Sequence, residues 1–189
     1  MPHPRRLRSI VLVGGRSLRF GRDKLLEPLE NGDRMVDRPI RALRDAGLAP
    51  VTLVGRCSPL VRERGDHTLD DSYPNMGPMG GILHALESLG CDILVLAGDL
   101  PNITAHEVRA LVHAAESTPE ALLIRACNEP CVAIYRTPLI ALIKRRLAAG
   151  ELSLMQLVDK PDLLEVDLPE ASLRNVNTVS ALREATESR

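Results

Sequence analysis

Short apolar runs alternate with longer amphipathic segments along most of the chain. The runs read RSIVLV, APVTLVG and CDILVLAGD and are typical of strands that are buried on both faces of a sheet. Between the runs, apolar residues recur at helical spacing, for example at Ile82, Ala85, Leu86 and Leu89. Strands that alternate with helices predict a three-layer α/β fold with a mainly parallel sheet.

Polar residues and glycines indicate where several helices begin and end. Thr104 and Glu107 have the spacing of a capping box, and Ser153 has Gln156 at the same spacing. Thr137 is expected to cap a helix that has proline at its first position. Two helices are expected to stop at glycines, Gly47 and Gly150.

The domain organisation and the position of the site follow from this alternation. No internal repeat, low-complexity tract or linker interrupts it, so we expect one domain over residues 1–189. In open α/β sheets, ligands bind beyond the carboxyl ends of the strands. The loops after Val13, Leu69 and Ala97 therefore form the candidate site, and they are the most unusual loops in the chain.

The composition argues against several classes of protein. A formal net charge of −1 and the absence of tryptophan disfavour a nucleic-acid-binding protein. No run approaches the roughly 18 apolar residues of a membrane span, and the first apolar run ends too early for a signal peptide, so we expect a soluble, cytoplasmic protein. The cysteines lack the spacing of a zinc site and are expected to be free thiols or small buried residues: Cys57, Cys91, Cys127 and Cys131.

The loop over residues 12–24, LVGGRSLRFGRDK, combines glycines with positive charge. It matches neither the GxGxxG nor the GxxxxGK[ST] phosphate motif. Gly14 and Gly15 can still bring bare backbone N–H groups close to a phosphate. A solvated basic turn is the alternative for this loop taken alone. The cationic donors that could hold a phosphate are Arg16, Arg19 and Lys24.

Two further loops carry acidic residues. LDDSYPNMGPMGG has Asp70 and Asp71 before a glycine-rich bend, where a helix N-terminus could hold a phosphate or face a base or ribose. LVLAGDLP ends a buried strand with Asp99, and Mg²⁺ that bridges substrate phosphates is the natural partner of such a carboxylate; a turn cap is the alternative. The three loops together predict nucleotidyl transfer, in which cations and metal spread the charge of the leaving pyrophosphate.

Four motifs follow one another in the order found in one enzyme family. LVGGRSLRFGRDK resembles LAGGxSxRMGxDK, and DDSYPNMGPMGGI resembles an acidic residue followed by GPLAGI. LAGDLP resembles a strand-end CDxP, and RNVNT resembles a terminal NVNTP. From about Ile10 to Leu182, the chain is thus similar to the molybdenum cofactor guanylyltransferase family of MobA-like nucleotidyltransferases. The resemblance implies a Rossmann-like nucleotidyltransferase fold.

The resemblance also implies a reaction. GMP would be transferred from Mg²⁺·GTP to the terminal phosphate of molybdopterin cofactor, and pyrophosphate would be released. The first loop, the glycine-rich bend and the strand-end acid would contact the nucleotide. The implied nucleotide-binding residues are Leu12, Val13, Gly14, Gly15, Arg16, Ser17, Lys24, Asp71, Gly80 and Asp99.

A smaller set of residues would carry the chemistry by the same resemblance. Arg19 and Lys24 would hold the triphosphate and Asp99 would bind Mg²⁺, so these three are the candidate catalytic residues. Asn177 would help to bind the metal, and Asn175 would lie on the acceptor side. From the residues alone, a turn and a helix cap are the alternative roles of both asparagines.

The nucleobase and the acceptor leave alternatives open. VGG and GPMGG match the guanylyl pattern better than the LAAG of the similar cytidylyltransferases, which favours GTP. Val13 stands where the family has alanine, so its two extra methyl groups are expected beside the base. The alternatives are cytidylyl transfer to molybdopterin, guanylyl transfer to a phosphorylated small acid, or an inactive nucleotide-binding partner protein. Transient contacts with cofactor-insertion proteins or molybdoenzymes are also expected.

Overall fold

The structure, a computed structural model, describes residues 6–14, 23–70 and 72–174. Three of its strands coincide with the apolar runs quoted above, because a run of branched apolar side chains suits a sheet that is covered on both faces. The strands are β1 (Leu7–Leu12), β2 (Val51–Val54), β3 (His67–Leu69), β4 (Asp92–Ala97), β5 (Leu123–Ala126), β6 (Glu129–Tyr135) and β7 (Leu163–Val166).

The seven strands form one sheet in the order β3-β2-β1-β4-β6-β5-β7. Strand β6 runs antiparallel to its neighbours β4 and β5, and the remaining pairs of described strands are parallel. A mainly parallel sheet, as predicted, is therefore confirmed. Because all the strands except β6 share one direction, their carboxyl ends meet at one edge of the sheet, called the carboxyl edge below.

The helices lie between the strands, as the amphipathic segments predicted. Two short 3-10 helices, at Lys24–Leu26 and Leu154–Gln156, accompany them. The α-helices are α1 (Asp37–Asp45), α2 (Pro59–Arg62), α3 (Gly77–Leu89), α4 (Ala105–Ser117), α5 (Leu139–Ala148) and α6 (Glu170–Leu173).

The core consists of two apolar layers, one on each face of the sheet. Val11 and Val13 belong to the layer that contains side chains of α1 and α4. Ile10 belongs to the opposite layer, with side chains of α3 and α5. Successive side chains of a strand point to opposite faces, so the continuous apolar run of β1 supplies both layers. The predicted three-layer α/β architecture is confirmed.

Several helix ends follow the sequence signals. The backbone N–H of Thr104 donates to Glu107 Oε2 at 2.9 Å, and the predicted capping box is formed. Gly47 and Gly150, with φ of 82° and 74°, follow the ends of α1 and α5. Such left-handed residues are common after a helix because glycine has no Cβ to clash. These terminations were predicted correctly.

Two predicted caps are wrong. Thr137 makes no cap for α5; its N–H and Oγ1 donate instead to Asp92 Oδ1, at 2.9 and 3.3 Å. Ser153 precedes only the short 3-10 helix Leu154–Gln156, and its side chain makes no cap bond. In the first case a buried carboxylate takes the hydroxyl, and in the second the helix is too short to form the box.

Three further expectations concern the chain as a whole. No helix in the described ranges is long and apolar enough to cross a membrane. All four cysteines are free, as predicted. The described strands belong to one sheet, which supports a single domain; that residues 1–189 form one domain stays a prediction.

Candidate active site

Backbone hydrogen bonds hold the carboxyl ends of β1, β2 and β4 together beyond the strands themselves. The N–H of Val13 donates to the carbonyl of Val54 at 2.9 Å. The N–H of Gly98 donates to the carbonyl of Leu12 at 3.0 Å. Since these are neighbouring strands near the middle of the sheet, the loops that follow them start side by side at the carboxyl edge.

Two glycines bring backbone into direct contact at this edge. A Cβ on Gly55 would lie 2.7 Å from the nitrogen and 2.8 Å from the Cα of Gly14. Gly55 also has a φ of +114°, which disfavours any residue with a side chain. The start of the loop after β1 is therefore lined by bare backbone, as the predicted phosphate and base contacts need.

The turn after β4 packs tightly against the 3-10 helix Lys24–Leu26. A Cβ on Gly98 would lie 3.0 Å from the Leu12 carbonyl oxygen and 3.1 Å from Leu25 Cδ2. Leu25 is itself buried in the core. Because Lys24 precedes Leu25 and Asp99 follows Gly98, this packing brings the two charged residues to one place.

Lys24 and Asp99 form the ion pair at the centre of the site. Lys24 Nζ donates to Asp99 Oδ2 at 2.8 Å, although the residues are 75 positions apart. Their side chains are 12% and 25% exposed, so the pair is shielded but reachable from solvent. A phosphate attracts the ammonium group and a divalent cation attracts the carboxylate, so the two groups can exchange partners.

A second carboxylate, that of Glu129, lies near Asp99. A two-residue turn at Cys127 and Asn128 joins β5 to β6 at the carboxyl edge, so β6 starts there with Glu129. Burial raises the pKa of Glu129, and the charge of Asp99 raises it further. Glu129 is not among the site residues predicted above, and the reversed direction of β6 is what brings it to this edge.

Cys131 lies two residues further along β6. Burial, with the charges of Asp99 and Glu129, raises the pKa of the Cys131 thiol to about 12. A thiol with that pKa is protonated at neutral pH and is a poor nucleophile. Cys131 therefore contributes a neutral side chain to this region.

The side chain of Val13 points away from the carboxyl edge. It is 5% exposed and belongs to the same core layer as Leu25 and Leu96. The expectation that its extra methyl groups lie beside a base is therefore wrong, because the strand alternation turns them into the core. Val13 can contact a ligand only through its backbone, and Leu12 uses its carbonyl for Gly98.

Gly80 lies in the first turns of α3, where the chain packs closely. A Cβ at Gly80 would lie 2.9 Å from the Cβ atoms of Tyr73 and Met76 and 3.0 Å from the Tyr73 carbonyl oxygen. A side chain there would push the preceding loop away from the helix. The structure thus gives Gly80 a packing role, and its contact with a nucleotide stays a prediction.

Two residues that the sequence did not indicate hold the segment that carries Lys24. Asp23 precedes the 3-10 helix, and its Oδ1 accepts the N–H of Leu25 at 3.1 Å. Its Oδ2 accepts the hydroxyl of Ser58 at 2.6 Å. Aspartate before a helix is a recognisable N-cap signal, whereas no local pattern links Ser58 to a loop 35 positions away.

The remaining predicted site residues lie outside the described residues. Their predicted roles cover the phosphate contacts, the nucleoside contact and the metal and acceptor sides, and all of these stay predictions. They are Gly15, Arg16, Ser17, Arg19, Asp71, Asn175 and Asn177.

The described ranges contain no group of three or more His, Cys, Asp or Glu side chains that could hold a metal ion. A site for Mg²⁺ needs less than that, because this ion usually binds one or two carboxylates and completes its shell with phosphate oxygens and water. Asp99 supplies oxygen donors at an accessible position, with the charge of Glu129 nearby. These two residues fit a divalent cation that arrives together with a phosphorylated ligand.

Close backbone packing and a shielded ion pair at the carboxyl edge of a Rossmann-like sheet are typical of a ligand site in an α/β protein. The comparison with known families is more specific, since residues 9–165 match the MobA-like NTP transferase domain. The match spans well over half of the chain, and the protein belongs to this family. It is a nucleotidyltransferase, as the sequence predicted.

Individual relatives agree with the family match. A probable molybdenum cofactor guanylyltransferase from Opitutus terrae is 35% identical over 173 residues, which cover 87% of this chain and 85% of the relative. A probable molybdenum cofactor guanylyltransferase from Mycobacterium tuberculosis is 29% identical over 183 residues, which cover 93% of this chain and 91% of the relative. The crystal structure of molybdopterin-guanine dinucleotide biosynthesis protein A from Archaeoglobus fulgidus has the same fold, with a TM-score of 0.75, 19% identity and coverage of 95% of this chain and 97% of that chain.

Proposed function

We propose that this enzyme is a molybdenum cofactor guanylyltransferase, which transfers GMP from GTP to the terminal phosphate of molybdopterin cofactor and releases pyrophosphate. The observation that carries the proposal is the ion pair of Lys24 with Asp99, 2.8 Å apart, at the carboxyl edge of the sheet. The bare backbone of Gly14 and Gly55 beside it supports the proposal. The names of the relatives support the choice of substrates.

The proposed reaction is an in-line displacement at phosphorus. An oxygen of the acceptor's terminal phosphate forms a bond to the α-phosphorus of GTP. The bond from that phosphorus to the oxygen that bridges to the β-phosphate breaks, and pyrophosphate leaves with the electron pair. Negative charge grows on the leaving group, and the ammonium group of Lys24 would counter it, together with Arg19.

Asp99 is the residue that we propose to hold the metal, with Asn177 as a further ligand. Bound Mg²⁺ would supply charge neutralisation at the phosphates of the nucleotide. Asp99 Oδ2 accepts Lys24 Nζ at 2.8 Å, so the cation would share this carboxylate with the ammonium group or take its place.

The nucleotide contacts of the proposal are mostly backbone contacts. Leu12, Val13 and Gly14 would line the guanine side of the site, and Val13 would do so through its main chain, since its side chain is in the core. Asp71 would contact the nucleoside, and Asn175 would lie on the acceptor side. A cytoplasmic location and transient contacts with the proteins that receive the cofactor also belong to the proposal.

A transfer assay with triphosphates labelled at the α-phosphate tests this function. The wild-type enzyme is expected to move label from GTP to molybdopterin cofactor in the presence of Mg²⁺, and to do so much less from CTP or ATP. Lys24→Ala is expected to lower kcat/KM about 100-fold, because one preorganised donor to the phosphates is lost. Lys144→Ala is the matched control, since Lys144 pairs with Glu87 on the surface of α5 and α3.

The outcomes separate the main alternatives. Label that moves from CTP and not from GTP would replace guanylyl transfer by cytidylyl transfer. Label that is incorporated into a phosphorylated small acid but not into molybdopterin would change the acceptor. Equal activity of Lys24→Ala and Lys144→Ala would show that Lys24, and with it the ion pair, does not contribute to catalysis.

A further inference from the structure

A hydrogen bond between two loops lies directly beside Lys24. Ser58, in the segment between β2 and α2, donates its hydroxyl to Asp23 Oδ2 at 2.6 Å. The other oxygen of Asp23 accepts the N–H of Leu25 at 3.1 Å. One carboxylate therefore caps the 3-10 helix that begins with Lys24 and also ties it to the neighbouring loop.

The hydroxyl of Ser58 does not serve its own helix. Ser58 is the N-cap residue of α2, a position where serine usually accepts a hydrogen bond from a backbone N–H of the first turn. Its side chain makes no such bond. The helix start is stabilised instead by the Ser58 carbonyl, which accepts the N–H groups of Val61 and Arg62 at 3.1 Å.

Lys24 is thus held from both sides by its neighbours in the chain. On one side, Asp23 is bound to Ser58. On the other side, Leu25 is buried and packs against the turn at Gly98. With the backbone held on both sides, a change of side-chain rotamer can redirect the ammonium group of Lys24.

We propose that Ser58 is a positioning residue for Lys24, which acts by holding Asp23 and with it the helix that presents the lysine. The inference rests on the proposed function, because the task of the positioned ammonium group is to hold the triphosphate. Removal of the hydroxyl leaves one Asp23 oxygen without its loop partner and loosens the segment that carries Lys24. The backbone of α2 keeps its own hydrogen bonds.

Calorimetric titration with Mg²⁺·GTP tests this positioning role. Ser58→Ala is expected to weaken binding roughly fivefold to tenfold, the size of effect that one typical intramolecular hydrogen bond gives. Ser58→Thr keeps the hydroxyl and is expected to restore the affinity. Ser153→Ala is the matched control, because Ser153 also precedes a short helix without a side-chain cap bond, and it is expected to bind as the wild type does.

The decisive measurement is the titration of a double variant that lacks both the Ser58 hydroxyl and the Lys24 side chain. In a Lys24→Ala background, Ser58→Ala is expected to weaken binding less than twofold, because residues that act through one group are not additive. Asp23→Ala removes the acceptor of the Ser58 hydroxyl altogether, so adding Ser58→Ala to Asp23→Ala is expected to weaken binding less than twofold further.

The outcomes distinguish this inference from the proposed function. A wild-type protein that binds no nucleoside triphosphate would overturn both. A wild-type protein that binds GTP, together with a Ser58→Ala variant that binds equally well, would overturn the positioning role alone. A full fivefold to tenfold loss on top of Lys24→Ala would also overturn it, since Ser58 would then act without the lysine.

Discussion

Two aspartates at opposite ends of strand β4 have contrasting surroundings. Asp92 begins the strand, is buried, and accepts the N–H and the hydroxyl of Thr137 at the start of α5. Asp99 follows the other end of the strand, is 25% exposed and accepts the ammonium group of Lys24. One residue type thus occupies a structural position at one edge of the sheet and the candidate active site at the other.

The two carboxylates differ in whether their hydrogen-bond donors can be replaced by another partner. One donor to Asp92 is a backbone N–H, which cannot leave without unfolding the start of α5. The donor to Asp99 is the tip of a flexible side chain, which can turn to another acceptor while the backbone stays in place. Burial and the type of hydrogen-bond donor therefore separate the two roles, and substitutions at both ends of β4 test that separation.

The largest effect is expected at Asp99. Asp99→Asn is expected to lower kcat/KM for nucleotidyl transfer at least roughly 100-fold, because a neutral amide is a weak ligand for a divalent cation. The free energy of unfolding is expected to change by only about 1 kcal/mol, because the amide oxygen of asparagine can still accept the shielded Lys24 ammonium group. The α-phosphate transfer assay and urea denaturation measure the two effects. An active Asp99→Asn enzyme would contradict the metal assignment.

At Asp92, substitution is expected to lower stability and to leave activity nearly unchanged. Asp92→Ala leaves the half-buried N–H and hydroxyl of Thr137 without this acceptor, so the free energy of unfolding is expected to fall by about 1–3 kcal/mol. The folded enzyme is expected to keep its kcat/KM within about a factor of two, since the site lies at the other edge. Denaturation midpoints and the transfer assay check this. A strong loss of activity in fully folded Asp92→Ala would break the contrast between the two edges.

The smallest effect is expected at Glu129, whose pKa is raised by burial and by the charge of Asp99. A raised carboxyl pKa means that the folded state binds the proton more tightly than the unfolded state, so ionisation at neutral pH destabilises the fold. Without metal or nucleotide, Glu129→Gln is expected to stabilise the protein by about 0.5 kcal/mol at pH 7.

The gain from Glu129→Gln is expected to disappear below roughly pH 4, where the wild-type carboxyl is protonated as well. Thermal unfolding of the wild type and of Glu129→Gln, at pH 7 and below roughly pH 4, measures this gain in stability. Glu165→Gln is a suitable contrast, because Glu165 pairs with Arg125 and loses a favourable charge on substitution. A Glu129→Gln protein less stable than the wild type at pH 7 would show that the carboxylate has a favourable partner.

Much of the fold could be predicted from local patterns. The runs that became β1, β2 and β4 are long and apolar, and the capping box at Thr104 is formed as predicted. Elements of three or four residues, such as α2 and β3, were not predicted, because they are too short to show a hydrophobic period. The caps at Thr137 and Ser153 were predicted wrongly, since a cap signal does not show what else competes for the hydroxyl.

Some features of the candidate site could likewise be predicted from local sequence, and others could not. The glycine-rich loop, Lys24 and Asp99 could be assigned to one edge from sequence, because carboxyl ends of parallel strands meet there. The burial of the Val13 side chain and the approach of Glu129 could not, since they depend on the face of the strand and on the reversed β6. The tie between Asp23 and Ser58 joins loops from different strands and has no local signal.

By itself, the sequence determined which segments become strands and helices and which motifs carry the family's chemistry, because both are written in local residue spacing. Only the tertiary structure decided that Lys24 pairs with Asp99, that Asp92 is structural and that Ser58 faces the lysine loop. Those contacts join residues 35 to 75 positions apart. They depend on strand order and on close packing at glycines, which no single segment specifies.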